Sequence, residues 1–367
     1  MMNIESDILQ ITDWFPEIKT SHFIIAGPCA AESREQLLET AEKIAAQTSV
    51  KFFRAGLWKP RTRPDSFEGV GEKALPWLQE VKQKTGLYTC VEVAMPQHVE
   101  ACLKYGIDVL WLGARTTANP FSVQEIAETL KGTGIPVLIK NPVNPDIELW
   151  IGAVERLYKS GIKKIGAVLR GFYPYERTIL RNIPKWELAI EMKHRIHSLP
   201  VLCDASHIAG NVSYIPEICQ KALDLNFDGL MLETHINPKA ALSDAMQQLT
   251  PNELELLISG LCFRKPSVSD PVFNNLLEQY RDQIDSIDLQ MLDLLGERMK
   301  IVREIGKYKS KNNVTILQLR RWEKIIATRS EYGNKAGLSY DFIKNLLELV
   351  HKESIQIQTK IMSNPGL

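Results

Sequence analysis

Val201-Leu202-Cys203-Asp204-Ala205-Ser206-His207 and, further on, Gly229-Leu230-Met231-Leu232-Glu233-Thr234-His235 are two apolar runs that each stop at residues metal ions favour, and the second is trailed by Asp244. Short, continuously apolar runs of this kind read as buried strands. A strand in a parallel sheet is covered on both faces, so ionisable groups are tolerated only at its carboxyl end. Enzymes built on closed parallel sheets keep their chemistry at that end.

Similar runs recur along the chain, at Phe23 to Ala26, Phe52 to Leu57, Tyr88 to Ala94, Val109 to Gly113, Val137 to Lys140 and Ile165 to Arg170, with helical patterns between them. With Val201 to Asp204 and Leu230 to Glu233 they make eight. Alternating strands and helices imply right-handed crossovers and a parallel sheet, and eight such units close naturally into an α/β barrel. A doubly wound open sheet is the alternative, and the lack of a GxGxxG after the first run counts against it.

The chain has 367 residues, more than one core usually serves, which predicts a large domain and a smaller one. Lys+Arg and Asp+Glu both total 44, so no net field recruits nucleic acid or an anionic membrane. No window is long and apolar enough to span a bilayer, and the acidic start from Met1 to Asp7 is unlike a signal peptide. The cysteines at 29, 90, 102, 203, 219 and 262 lie far apart with no CxxC spacing, which predicts a reducing cytoplasm.

In order, the strand ends deliver Cys29, Arg54 with Lys59, Glu92, Arg115, Lys140, Arg170, His207 and Glu233. Convergence at one rim is expected if they share a site. Cys29, His207, Glu233 and Asp244 offer sulfur, nitrogen and oxygen donors suited to a borderline divalent cation such as Mn2+. His235 is a rival ligand, because alternation would point it the same way as Glu233. Arg54, Lys59, Arg61, Arg115, Lys140 and Arg170 concentrate positive charge that a closed cleft tolerates only opposite anions, such as phosphate and carboxylate groups.

Ile25-Ala26-Gly27-Pro28-Cys29-Ala30-Ala31-Glu32-Ser33, Lys59-Pro60-Arg61-Thr62, Gly113-Ala114-Arg115, Asp204-Ala205-Ser206-His207, and Ser243-Asp244 followed by Gln247-Gln248, occur here in this order. Together they resemble the 3-deoxy-D-arabino-heptulosonate 7-phosphate (DAHP) synthases over about residues 20 to 260. The resemblance implies a (β/α)8 TIM barrel that condenses phosphoenolpyruvate with erythrose 4-phosphate and releases phosphate. It assigns metal ligation to Cys29, His207, Glu233 and Asp244, leaving His235 outside the shell. It gives phosphoenolpyruvate to Arg54, Lys59, Arg115, Lys140 and Arg170, and the aldose phosphate to Pro60, Arg61 and Thr62, with Lys59 also a candidate proton donor. The related 3-deoxyoctulosonate 8-phosphate synthases usually read Lys-Ala-Asn-Arg at this loop, so Lys59-Pro60-Arg61-Thr62 favours the four-carbon sugar. Ala118-Asn119-Pro120 departs from the Gln-Asn that many DAHP synthases carry after Gly-Ala-Arg.

The pattern changes after the barrel, giving a first domain over 1–262, a linker over 263–275 marked by Pro266 and Pro271, and a helical domain over 276–367. From Leu277, apolar residues at 280, 284, 287, 291, 294, 301, 305 and 308 predict a heptad seam in one helix of about 35 residues. Arg298 occupies the skipped position, where it either pairs with a buried carboxylate or faces a ligand. Lys309 lies three turns on along the same face. Arg281 is roughly 25 Å away along the axis and would serve a second site, most simply on an antiparallel partner, which predicts a homodimer. Further helices are expected over 317–331 and from the cap Ser339 to about 361, the latter carrying Ser354 and Gln358 one turn apart.

Arg281, Arg298, Lys309, Arg321, Ser354 and Gln358 at these spacings resemble the all-helical chorismate mutases. The resemblance implies conversion of chorismate to prephenate, with Arg298 and the partner's Arg281 on the carboxylates and Lys309 and Gln358 at the ether oxygen. Gln318 and Trp322 stand where aspartate and glutamate are common, leaving the contact to the substrate hydroxyl to Glu323 or to nothing. A helical module that mainly binds ligand and dimerises is the alternative. With about twenty residues before the first strand, feedback is expected to act through the helical domain, with prephenate as effector.

Overall fold

The computed structural model describes residues 7–18, 23–59, 67–176, 178–265 and 267–363. They form two compact units, Met1–Pro266 and Ser267–Leu367. In the first, β1 Phe23–Gly27, β2 Phe52–Ala55, β3 Tyr88–Val93, β4 Val109–Leu112, β5 Val137–Lys140, β6 Ile165–Leu169, β7 Val201–Asp204 and β8 Gly229–Glu233 close in chain order into a parallel barrel, with β8 paired back to β1. Around it run α1 Arg34–Gln47, α2 Leu75–Thr85, α3 Pro96–Lys104, α4 Ala114–Thr117, α5 Pro120–Thr129, α6 Ile147–Lys159, α7 Trp186–Arg195, α8 Ala205–Ala209, α9 Ile215–Asp224 and α10 Pro251–Gly260.

The two-residue period of each strand sorts its side chains into two buried layers. Phe23, Ile25, Phe52, Cys90, Val109, Trp111, Leu138, Val168, Leu202 and Met231 pack with one another, while their neighbours Ile24, Phe53, Val91, Leu110 and Ile139 belong to a separate cluster with the helices. The first set fills the cylinder, as closed barrels require. Trp14 and Phe15 complete it below, Trp14 edge-on to Phe23 at 5.9 Å and Phe15 4.7 Å from Tyr88.

One register step further along each strand, the inward positions become Arg54, Glu92, Lys140, Arg170, Asp204 and Glu233. The polar layer therefore sits directly on the apolar one. Arg54 lies within β2, which ends at Ala55, two residues short of the expected Leu57. Gly27, at φ 147°, admits no side chain, since a Cβ there would lie 2.2 Å from the Arg54 carbonyl oxygen.

The second unit contains α11 Pro271–Lys311, α12 Leu319–Lys335 and α13 Tyr340–Ser363. The first of these runs 41 residues and starts inside the stretch expected to be linker. Asp270 caps it by accepting hydrogen bonds from the Val272 and Phe273 amides, and Pro271 takes the first turn, where its missing N–H is no loss.

The heptad seam does not form the packing face between these helices. Ile284, Ile287, Leu294 and Ile301 are more than half exposed. α11 instead meets α13 through Val302 and Gly306, where a Cβ on Gly306 would lie 3.0 Å from Ile361 Cδ1. Arg298, four residues before Val302, therefore belongs to the face turned toward α13.

Candidate active site

Above the apolar layer, charged groups neutralise one another. Arg54, 1% exposed, reaches Glu233 Oε1 at 3.1 Å through one terminal nitrogen, and its Nε and other terminal nitrogen are buried without a hydrogen-bond partner among the described residues. Lys140 Nζ lies 2.7 Å from Asp204 Oδ2. Both cations sit over the Trp111 ring, at 5.1 and 5.4 Å, and Trp111 Nε1 donates to Glu92 Oε2 at 2.9 Å. A Cβ on Gly113 would lie 2.2 Å from that glutamate, which accounts for the glycine in Gly-Ala-Arg. Arg170 donates to Asn182 Oδ1 at 3.0 Å, and burial lowers its pKa.

Beside this layer, donor atoms of Cys29, Glu233 and Asp244 lie within 4.8 Å of one another, and His207 Nε2 lies 3.7 Å from Glu233 Oε1. Atoms ligating one ion at about 2.0–2.4 Å stand roughly 3–4.5 Å apart, so the Cys29, Glu233 and Asp244 donors are near the spacing one cation needs, and His207 stands next to Glu233 outside that set of three. Burial lowers the His207 pKa, and Nδ1 faces the Asp204 carboxylate at 2.8 Å. Such a carboxylate fixes the ring of a ligating histidine.

Asp244 is held at φ 50°, a left-handed conformation aspartate tolerates, with Oδ2 3.1 Å from Cys29 Sγ. Burial opposes its ionisation, but Arg181 and His207 outweigh that and hold the pKa well below the usual range. Burial and the Glu233 charge push the Cys29 thiol up to about 12. Lys59 Nζ contacts its sulfur at 2.9 Å.

In the second unit Arg298 is half-buried and donates to Ser354 Oγ at 2.7 Å, and burial lowers its pKa. Its side-chain partner is a hydroxyl and not the buried carboxylate weighed as one possibility. Lys309 Nζ donates to the Ile316 carbonyl at 2.6 Å. Ser354 and Gln358 are buried on α13, and Gln358 Oε1 has no hydrogen-bond partner. His351, one turn before Ser354, stacks on Trp322 at 4.1 Å. Arg281 is exposed and pairs with Glu278. Arg321, Gln318 and Glu323 are exposed.

Residues 19–261 match the model described as the DAHP synthetase I family, about two thirds of the chain. The chain belongs to that family. Behind the family's barrel, residues 280–359 match the model for chorismate mutase type II. The barrel is 34% identical over 226 residues to the phospho-2-dehydro-3-deoxyheptonate aldolase of Thermotoga maritima, covering 62% of this chain and 64% of that protein's length. It is 28% identical over 264 residues to the 2-dehydro-3-deoxyphosphooctonate aldolase of Helicobacter acinonychis, covering 65% of this chain and 93% of that one. A crystal structure of the Thermotoga maritima DAHP synthase superposes with TM-score 0.60 at 29% identity, covering 70% of this chain and 76% of that one.

On this DAHP synthetase I barrel, Cys29, Arg54, Lys59, Lys140, Arg170, His207, Glu233 and Asp244 come together as the strand ends suggested. Arg115 is exposed on α4. Pro60, Arg61 and Thr62 lie outside the described residues. His235 parts from Glu233 because β8 ends between them; its Nε2 faces Glu32 at 3.5 Å and its Nδ1 accepts from the Asn237 amide. Asn119 caps α5 by accepting from the Phe121 and Ser122 amides, so the departure Ala118-Asn119-Pro120 makes a helix start.

Sequence reasoning passed over Trp111, Asp204, Arg181 and His351. Asp204 was detectable as the counter-charge that a buried Lys140 requires. Arg181 was not, since it reaches Asp244 at 2.9 Å from a loop without periodicity.

Proposed function

We propose that the barrel condenses phosphoenolpyruvate with erythrose 4-phosphate to DAHP and inorganic phosphate, and that the helical segment rearranges chorismate to prephenate. Arg54 carries the first reading. A guanidinium sealed inside a barrel with two nitrogens unpaired is suited to a doubly charged oxygen group, which it can grip through two parallel hydrogen bonds. Lys140, Arg170, Lys59 and Arg115 supply the remaining charge for a trianionic enol phosphate, so that two mutually repelling anions are held in reacting geometry. Pro60, Arg61 and Thr62 belong to the aldose phosphate in this reading, and Lys59 holds a proton for the oxygen of the new hydroxyl.

Cys29, His207, Glu233 and Asp244 would hold a divalent cation, Mn2+ or similar. When bound, such a cation supplies Lewis-acid polarisation of the aldehyde.

In the helical segment, Arg298, Lys309, Arg321, Ser354 and Gln358 form the chorismate site, with Arg281 contributed by a second copy across the exposed seam. Cations placed against a dianion in a compact conformation suffice for a rearrangement without covalent catalysis. Prephenate bound there restrains the barrel. The boundaries near 262 and 276 separate the two activities. No helix among the described residues is long and apolar enough to cross a membrane. The free cysteines support a cytoplasmic setting.

One experiment on the full chain tests both activities. Phosphoenolpyruvate loss should be rapid with the four-carbon aldose phosphate, slow with the five-carbon one, abolished by chelator and slowed by prephenate, and chorismate absorbance should fall in the same preparation. A preference for the five-carbon sugar would move the barrel to the octonate branch. Chorismate binding without turnover would make the helical segment a ligand-sensing and dimerising module.

A further inference from the structure

His351 lies seven residues before Gln358 and three before Ser354, so all three share one face of α13. Its ring stacks on Trp322 of α12 with centroids 4.1 Å apart and planes 16° from parallel. The stack fixes the imidazole, and its Nε2 is buried with no hydrogen-bond partner among the described residues. A buried polar atom without a partner is costly unless a ligand supplies one.

Burial, Arg298 and Lys309, in that order, hold the His351 pKa below its ordinary value. Gln358 Oε1, on the same face, is likewise buried and unpaired. The two orphaned polar atoms share the α13 face of Ser354, which accepts from Arg298, and this face calls for an anionic ligand that also carries neutral polar groups.

We propose that His351 is the specificity-determining residue that contacts the ring hydroxyl of chorismate through Nε2. This rests on the mutase reading above. The two carboxylates of the substrate take the guanidinium groups, and its ether oxygen takes Lys309 and Gln358. The hydroxyl is left, and the acidic residue that resemblance would supply for it is Trp322 in this chain. Glu323 and Gln318 are exposed. A hydroxyl both donates and accepts, so it satisfies Nε2 in either imidazole tautomer, which an ether oxygen cannot.

The test compares the full-length wild type with H351F, which keeps a flat ring on Trp322 and removes Nε2, on chorismate and on its analogue lacking the ring hydroxyl. One neutral hydrogen bond of about 1 kcal/mol corresponds to roughly a fivefold loss of kcat/KM on chorismate. Turnover of the analogue should stay within twofold of wild type. H351Q, which returns an amide near the lost nitrogen, should recover part of the loss and guards against a misfolded first variant. Equal losses on both substrates would make His351 a packing residue, and no loss on either would remove it from the site; each overturns the proposal. A wild type inert toward both compounds would instead bring down the mutase reading and the proposal with it.

Discussion

Replacing Arg54 by lysine tests whether the buried fork is there for substrate. In the structure one terminal nitrogen serves Glu233 at 3.1 Å, a contact an ammonium can reproduce. The buried Nε and the other terminal nitrogen have no partner among the described residues, and lysine supplies neither. If these two nitrogens grip phosphoenolpyruvate, R54K forfeits two charge-assisted hydrogen bonds, each about 1.5–3 kcal/mol. Because the positive charge remains, the lower sum of about 3 kcal/mol applies, which is roughly 100-fold at 1.36 kcal/mol per decade. Following phosphoenolpyruvate loss under saturating erythrose 4-phosphate, kcat/KM for phosphoenolpyruvate should fall by about that factor, and KM for the aldose phosphate should change by less than about threefold. Folding should be largely retained, with the Trp111 contact weakened and not abolished. A phosphoenolpyruvate kcat/KM within about threefold of wild type would refute the reasoning, because the unpaired nitrogens would then serve nothing that binds.

D204N leaves Lys140 buried without its counter-charge, and breaking such a pair costs about 3–5 kcal/mol, or a Tm lower by roughly 6–20 °C at about 2–4 °C per kcal/mol; differential scanning calorimetry should find at least the lower figure. The folded pKa of Asp204 lies well below 3.8, so its stabilisation is complete above that value and disappears as pH falls through the folded pKa; chemical denaturation below about pH 4 should therefore weaken the wild type more steeply than D204N. Because the Cys29 thiol stays protonated up to about pH 12 without a cation, loading with Mn2+ near pH 7 should release close to one proton from it, read by titration calorimetry in buffers of different ionisation enthalpy, and C29S should bind more weakly and without that release. I287D puts a charge into the exposed seam and should halve the sedimenting mass and lower mutase activity, with the helical content unchanged; a mass equal to wild type would dispose of the seam as an interface.

The barrel was legible because its strands obey one rule twice. The period that buries Phe52, Leu138, Val168 and Met231 carries Arg54, Lys140, Arg170 and Glu233 to the same side two residues later, so the apolar core and the charged layer follow from a single phase. Trp111 escaped notice because a tryptophan in an apolar run reads as core, and its role under two cations exists only once the closed sheet brings Arg54 of β2 and Lys140 of β5 over its ring. The start of α11 was missed for the opposite reason. Pro271 was weighed as a breaker, whereas behind the capping Asp270 it is the ordinary first residue of a helix.

In the helical unit the sequence showed one stripe where the structure uses two. The residues at 284, 287, 291, 294, 301 and 305 are apolar and exposed, whereas Arg298 and Gly306 meet α13 and Val302 between them is buried. Reading both as a single seam made Arg298 look like an interruption. On its own face it is in step, since its neighbours there are the small Gly306 and the buried Val302, and the space they leave admits Ser354, Gln358 and the Trp322-held imidazole. Arg298 and the apolar stripe are thus carried by adjacent faces of one helix. In the proposed dimer a second copy covering the stripe would lie next to the face that carries Arg298, and its exposed Arg281 is the cation it would bring there.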